Sequence, residues 1–82
     1  MDVAYVLIKC YHGKLKIVSA SLKKFDEVDE AHEVYGRFDI VTKVICSDRA
    51  ELKSFMQNKL QILEGISSTE TLLVNDLYLD EL

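Results

Sequence analysis

The segment Tyr35-Gly36-Arg37-Phe38-Asp39 holds the groups that would grip a small zwitterion. Backbone amides around a glycine can converge on a carboxylate, and an aspartate can receive an ammonium. The competing reading is a tight hairpin turn, with Gly36 supplying a positive φ and Asp39 closing it. The other reactive side chains are scattered. Cys10 and Cys46 read as small buried hydrophobes, and they fall at opposite ends of a sheet if their strands run antiparallel. His12 and His32 are also separated, and neither has the His/Cys/Asp spacing of a zinc site. The sequence has no nucleophile elbow, P-loop or dinucleotide fingerprint, and three glycines are too few for a Gly-rich phosphate cradle. No cofactor or metal is expected.

The elements around the hairpin follow from periodicity. Residues 3–11 are β-branched and aromatic and predict a strand, β1, with two mostly apolar faces. His12-Gly13 punctuates. Leu15, Val18, Leu22 and Phe25 then recur at helical spacing, with Lys14, Lys16, Lys23 and Lys24 elsewhere, predicting an amphipathic helix α1 over 14–25. Residues 28–35 predict β2 and 40–46 predict β3, joined by the glycine turn as a hairpin. Asp48 and Glu51 fit a capping box at the start of a second helix, α2, expected over 48–64 with Gly65 as its left-handed cap. Residues 66–75 predict β4. The acidic tail, 76–82, alternates enough for a short fifth strand or a docking segment.

The order βαββαβ is the split-βαβ, ferredoxin-like pattern of an α+β domain. Right-handed crossovers give a four-stranded antiparallel sheet in the order 4-1-3-2 with both helices on one face. The opposite face then carries apolar residues of β1, β3 and β4 without cover. A bare apolar face is unusual on a monomer, so a partner is expected, most simply a second copy on a two-fold axis.

Composition bounds the rest. Eighty-two residues make one domain, taken as 1–75 with the tail 76–82 beyond it, and a chain this short has a small core. A net charge of −4 is the wrong sign for displacing counterions from phosphate, so direct nucleic-acid binding is not expected. Tyr5 and Tyr11 could stack bases on a sheet, but the aromatic signature of RNA-binding sheets is missing. No apolar run approaches a membrane span, and the N-terminus lacks the pattern of a secretory leader. A cytoplasmic location with reduced thiols is the expectation.

Taken in order, these motifs resemble the leucine-responsive regulator/AsnC (Lrp/AsnC) family. Tyr35-Gly36-Arg37-Phe38-Asp39-Ile40-Val41 is similar to the Gly-x-aromatic-Asp hairpin of its effector-binding, or RAM, domain. Leu63-Glu64-Gly65-Ile66 followed by Thr69-Glu70-Thr71 resembles the family's helix-to-strand passage. The opening run 4–8 and Ala31 to Val34 also fit, so the likeness covers about 3–75. The family's helix-turn-helix has no counterpart here, and the acidic tail departs from its usual ending. The resemblance implies a dimeric α+β barrel whose sheets pack face to face, with dimers joining into rings such as octamers. It implies a free amino acid as ligand, held between subunits. Gly36, Arg37 and Phe38 would line its carboxylate, Asp39 would hold its ammonium, Thr69 and Thr71 would offer hydroxyls, and Tyr35 would wall the pocket. The function implied is non-enzymatic. The module would modulate transcription indirectly, by assembling with itself or with full-length regulators of the family.

Two other readings stay open at this stage. A small dimeric α+β-barrel enzyme, an isomerase or cofactor-free oxygenase, would need His12, His32, Tyr5 or Tyr11 as acid or base in a pocket of one subunit. A plain oligomerisation domain would use the hairpin structurally only. Amino-acid regulatory domains of the ACT kind share the fold pattern and stand close in function.

Overall fold

A computed structural model describes residues 1–75 of the chain. The proposed fifth strand or docking segment at 76–82 lies outside the described residues. The element order is β1 Asp2–Cys10, α1 Leu15–Leu22, β2 Val28–Glu33, β3 Ile40–Cys46, α2 Arg49–Phe55 running into a π-helical turn Met56–Leu60, and β4 Ile66–Leu73. The sheet order is β2-β3-β1-β4 and every pairing is antiparallel, the expected ferredoxin-like arrangement.

The alternation of β1 sorts its side chains cleanly. Ala4, Val6 and Ile8 are fully buried, as are Ile40, Thr42 and Val44 of the adjoining β3. The helices cover that face with Val18 and Leu22 from α1 and Leu52, Phe55, Met56 and Leu60 from α2 and its π turn. Phe25 meets Phe55 edge-to-face at 5.3 Å. The one buried hydroxyl among the strands is satisfied, Thr42 Oγ1 donating to the Glu30 carbonyl at 2.7 Å.

The opposite face has no cover within the chain. It presents Tyr5, Leu7, Val41, Ile45 and Leu72, with Lys9, Lys43, Glu30, His32 and Glu70 interspersed or around them. Tyr5 is 39% exposed and Leu72 48%. The apolar residues run along the inner strands β1 and β3, interrupted by Lys43, with Glu30, His32 and Glu70 on the edge strands, a surface that can be buried against a partner.

Several boundaries differ from expectation. Helix α1 stops at Leu22, because Lys24 and Phe25 donate three residues back, to Ser21 and Leu22, and this tighter turn delivers Phe25 to the core. Strand β2 stops at Glu33, and Tyr35 is fully exposed in the loop rather than paired. Helix α2 does not reach 64. Its end widens, Gln61 donating five residues back to Met56 at 3.0 Å, which keeps both Met56 and Leu60 on the core. The cap at its start is half a capping box. Asp48 Oδ1 accepts the Glu51 amide at 2.8 Å, while the Glu51 carboxylate accepts from the Ser47 hydroxyl instead of returning to Asp48. Strand β4 ends at Leu73, two residues early, although Val74 still donates to the Val3 carbonyl.

Gly65 has a different task from the one expected. It does not cap α2, whose π turn ends at Leu60. It has φ +101°, and a Cβ there would lie 2.8 Å from Lys14 Cβ and 2.9 Å from a Val18 methyl. The glycine lets the approach to β4 press against α1. Its carbonyl also accepts from Tyr11 at 2.9 Å, tying the end of β1 to the start of β4.

One ion pair makes stability depend on acid. Lys59 Nζ lies 2.9 Å from Glu27 Oε2, joining the π turn to the loop before β2. The hydrogen bond from Lys59 holds the Glu27 carboxyl below its usual range, against the opposing effect of burial. A depressed carboxyl pKa contributes stability above the unfolded-state pKa and loses it as pH falls through the folded-state pKa. Lys59→Gln is therefore expected to cause a modest loss of thermal stability at neutral pH. The gap from the parent protein should close below about pH 4, the ordinary glutamate range. Melting curves across that interval check it, and a gap independent of pH would remove the ion pair as its source.

Candidate functional site

The hairpin between β2 and β3 is fixed at its base by three hydrogen bonds centred on Asp39. The Val34 amide donates to the Asp39 carbonyl at 2.9 Å, and the Asp39 amide donates to the Ile8 carbonyl at 2.8 Å. Asp39 Oδ2 accepts the Cys10 amide at 2.8 Å, across 29 residues of sequence. Asp39 thus locks the loop to the end of β1, a structural role that its place in the local motif did not disclose. Gly36 sits at φ +144°, a conformation that side-chain-bearing residues rarely adopt. Lys9 Nζ reaches the Arg37 carbonyl at 3.5 Å.

The loop keeps unused hydrogen-bonding capacity. Among the described residues, the amides of Tyr35, Gly36, Arg37 and Phe38 donate to nothing, and Asp39 Oδ1 accepts from nothing. Phe38 and Asp39 are half-buried, while Tyr35, Gly36 and Arg37 are exposed. A run of free donors beside one free carboxylate oxygen can accept an anion and a cation together.

The threonines stand elsewhere. Thr69 pairs with Ile8 and Thr71 with Val6, so both lie on the helix-bearing side of β4. Strands β3 and β4 flank β1. By strand spacing and rise, Asp39 is roughly 10 Å from Thr69 and roughly 14 Å from Thr71. Of the seven residues singled out in the sequence, one chain gathers Tyr35, Gly36, Arg37, Phe38 and Asp39. Thr69 and Thr71 stand two strands away from the hairpin's β3, on β4.

Thr71 instead lines a cleft of about 360 Å³ between α2 and β4, with Leu52, Met56 and Leu73 as its apolar lining and Arg49 and Lys53 as its cations. This cleft had no local signal in the sequence. It depends on α2 running antiparallel beside β4, which only the topology specifies.

The cysteines and histidines take the places expected of them. Cys46 pairs with Asp2, at the opposite end of β1 from Cys10, and both thiols are free. Burial pushes the Cys10 thiol up, and the Asp39 and Glu33 carboxylates push it further, so it stays protonated and a poor nucleophile. His12 is exposed, and exposed His32 shares a 3.1 Å contact with Glu30 on the uncovered sheet face. Neither histidine lines the cleft. The described residues contain no group of three or more His, Cys, Asp or Glu placed to hold a metal. None of their helices is long and apolar enough to cross a membrane.

The fold is a ferredoxin-like sheet with one open face, and its glycine hairpin carries free backbone donors. The family model for the Lrp/AsnC ligand binding domain matches residues 3–81, and the chain belongs to that family. The HTH-type transcriptional regulator FL11 of Pyrococcus furiosus is 33% identical over 72 residues, covering 88% of this chain and 47% of that protein. The chain thus spans about half the length of the curated relatives it matches. The crystal structure of FFRP-DM1 superposes with a TM-score of 0.89 at 31% identity, covering 92% of this chain and 100% of that one. Escherichia coli AsnC superposes at 0.84 with 32% identity, covering 89% of this chain and 50% of that one.

Proposed function

We propose that this domain binds a free amino acid at the hairpin and couples binding to its own assembly. The observation that carries the reading is the row of free amides at 35–38 beside the free Oδ1 of Asp39. A zwitterion satisfies both at once. The α-carboxylate takes the amides and the Arg37 guanidinium, and the α-ammonium takes Asp39. Half-buried Phe38 and exposed Tyr35 offer apolar surface for the ligand side chain.

The uncovered sheet face and the exposed hairpin, both open in a single chain, support a site completed between subunits. Two copies pack through the uncovered sheet faces, and further contacts bring the hairpin of one copy to β4 of another. A ring such as an octamer is one closed outcome. Ligand energy then favours whichever assembly completes the site. The effect on transcription is indirect, through self-assembly or through assembly with full-length regulators of the family.

Asp39→Asn is the informative variant. The amide oxygen keeps an acceptor for the Cys10 amide but loses the charge that meets the ammonium. Calorimetric titration with single amino acids should show at least ~10-fold weaker binding with little change in melting temperature. Unchanged affinity would sink the assignment. Asp39→Ala is a poorer test, because leaving the half-buried Cys10 amide unpaired costs about 1–3 kcal/mol of stability on its own.

A further inference from the structure

We propose that the cleft between α2 and β4 is a second ligand site, for a small aliphatic monocarboxylate without an ammonium group, of which a 2-oxo acid is the fitting class. Leu52, Met56 and Leu73 are apolar, Arg49 and Lys53 are cations, and none of the described residues that line it is acidic. Arg49 already gives its Nε to Asp2 at 2.8 Å. Lys53 has no ion-pair partner among the described residues, so it is the cation left for an incoming anion.

The absence of a carboxylate sets the selectivity. A free amino acid entering this cleft could place its carboxylate at Lys53, but its ammonium would meet two cations and no charged acceptor. The ammonium then stands beside like charges with no ion-pair partner in the lining. Replacing the ammonium by a carbonyl oxygen removes the conflict and creates an acceptor. Gln57, Gln61 and Thr71, also in the lining, carry donors for it. A branched or linear aliphatic chain then covers Leu52, Met56 and Leu73. The volume of about 360 Å³ lies at the small end of ligand pockets, which suits a molecule of this size.

The cleft is lined by described residues of one chain and lies on the helix-bearing side of the sheet, away from the uncovered face. It therefore does not need the assembly on which the hairpin site depends. The two sites divide by chemistry, the hairpin having an acceptor for an ammonium and the cleft having none.

The test uses the full chain, labelled with ¹⁵N, titrated with 4-methyl-2-oxopentanoate and, separately, with leucine. The oxo acid should shift amide resonances of α2, its π turn and the second half of β4, and leucine should leave those resonances in place. Lys53→Glu, on an exposed position that leaves the core intact, should weaken oxo-acid binding at least ~10-fold, and Lys53→Arg should retain it. Leu7→Lys, which alters only the uncovered face, should bind the oxo acid as the parent does, so failure of the assembly reading would be visible separately. Shifts confined to the hairpin, equal response of the cleft to leucine, or indifference to Lys53→Glu would each overturn the proposal.

Discussion

If two copies pair through the uncovered sheet face as proposed, Leu7→Lys is expected to give a folded monomer. Leu7 sits mid-strand on the uncovered face, paired with Val41 on one side and Glu70 on the other. In a single chain the new ammonium stands opposite the Glu70 carboxylate, a favourable cross-strand pair, so the fold should survive. In a face-to-face dimer the same ammonium is buried between apolar strands. Burying the bulkier charged side chain there costs desolvation and forfeits the apolar contact of Leu7, about 2 kcal/mol even with Glu70 beside it, enough to weaken association roughly 10-fold or more. Sedimentation equilibrium should report one chain mass for the variant and a multiple for the parent, with the same circular dichroism spectrum. Retention of the parent's mass would mean that the chain assembles through another surface.

Gly65→Ala should be the most destabilising single-methyl change in the molecule. Two penalties add at this position. The backbone at φ +101° disfavours any L side chain, and the added Cβ lands 2.8–2.9 Å from Lys14 Cβ and Val18. Relief requires α1 to move off the sheet, and Val18 is in the core. The combined cost should be about 2–4 kcal/mol, or roughly 10–25 °C in melting temperature for a domain of this length. Gly13→Ala is the internal control. Its φ is +80°, but nothing lies within 4 Å of the added atom, so only the backbone penalty applies. Equal losses for the two variants would show that close packing against α1 contributes nothing.

The strands were legible in the sequence because their signal is local. The run 40–46 alternates buried and half-buried residues without interruption, and its bounds match the structure. The order of elements then left one sheet topology compatible with right-handed crossovers, and the chain adopts it. Helix α2 was harder. Its apolar spacing continues smoothly past Phe55, and a π turn shifts the register without altering which residues are hydrophobic. Gly65 was misread because a positive-φ glycine after a helical run looks like a cap. The steric demand comes from Lys14 and Val18, about fifty residues earlier, and no local pattern carries it.

The candidate site divides along the same line. The hairpin motif was visible as a short run of characteristic residues. The bond from Cys10 to Asp39 was not, since it joins positions 29 apart. The cleft between α2 and β4 left no trace in the sequence either. Its residues are an ordinary amphipathic helix surface and an edge strand, and only their juxtaposition makes a concavity.

In the proposed function, amino-acid binding and self-assembly are one equilibrium. The most direct measurement is molar mass by light scattering during size exclusion, with and without each common amino acid in the running buffer. The account predicts a dimer or larger species whose mass changes with one amino acid or a few. A single-chain mass that no amino acid alters would contradict both the pairing of the sheet faces and the ligand site at the hairpin.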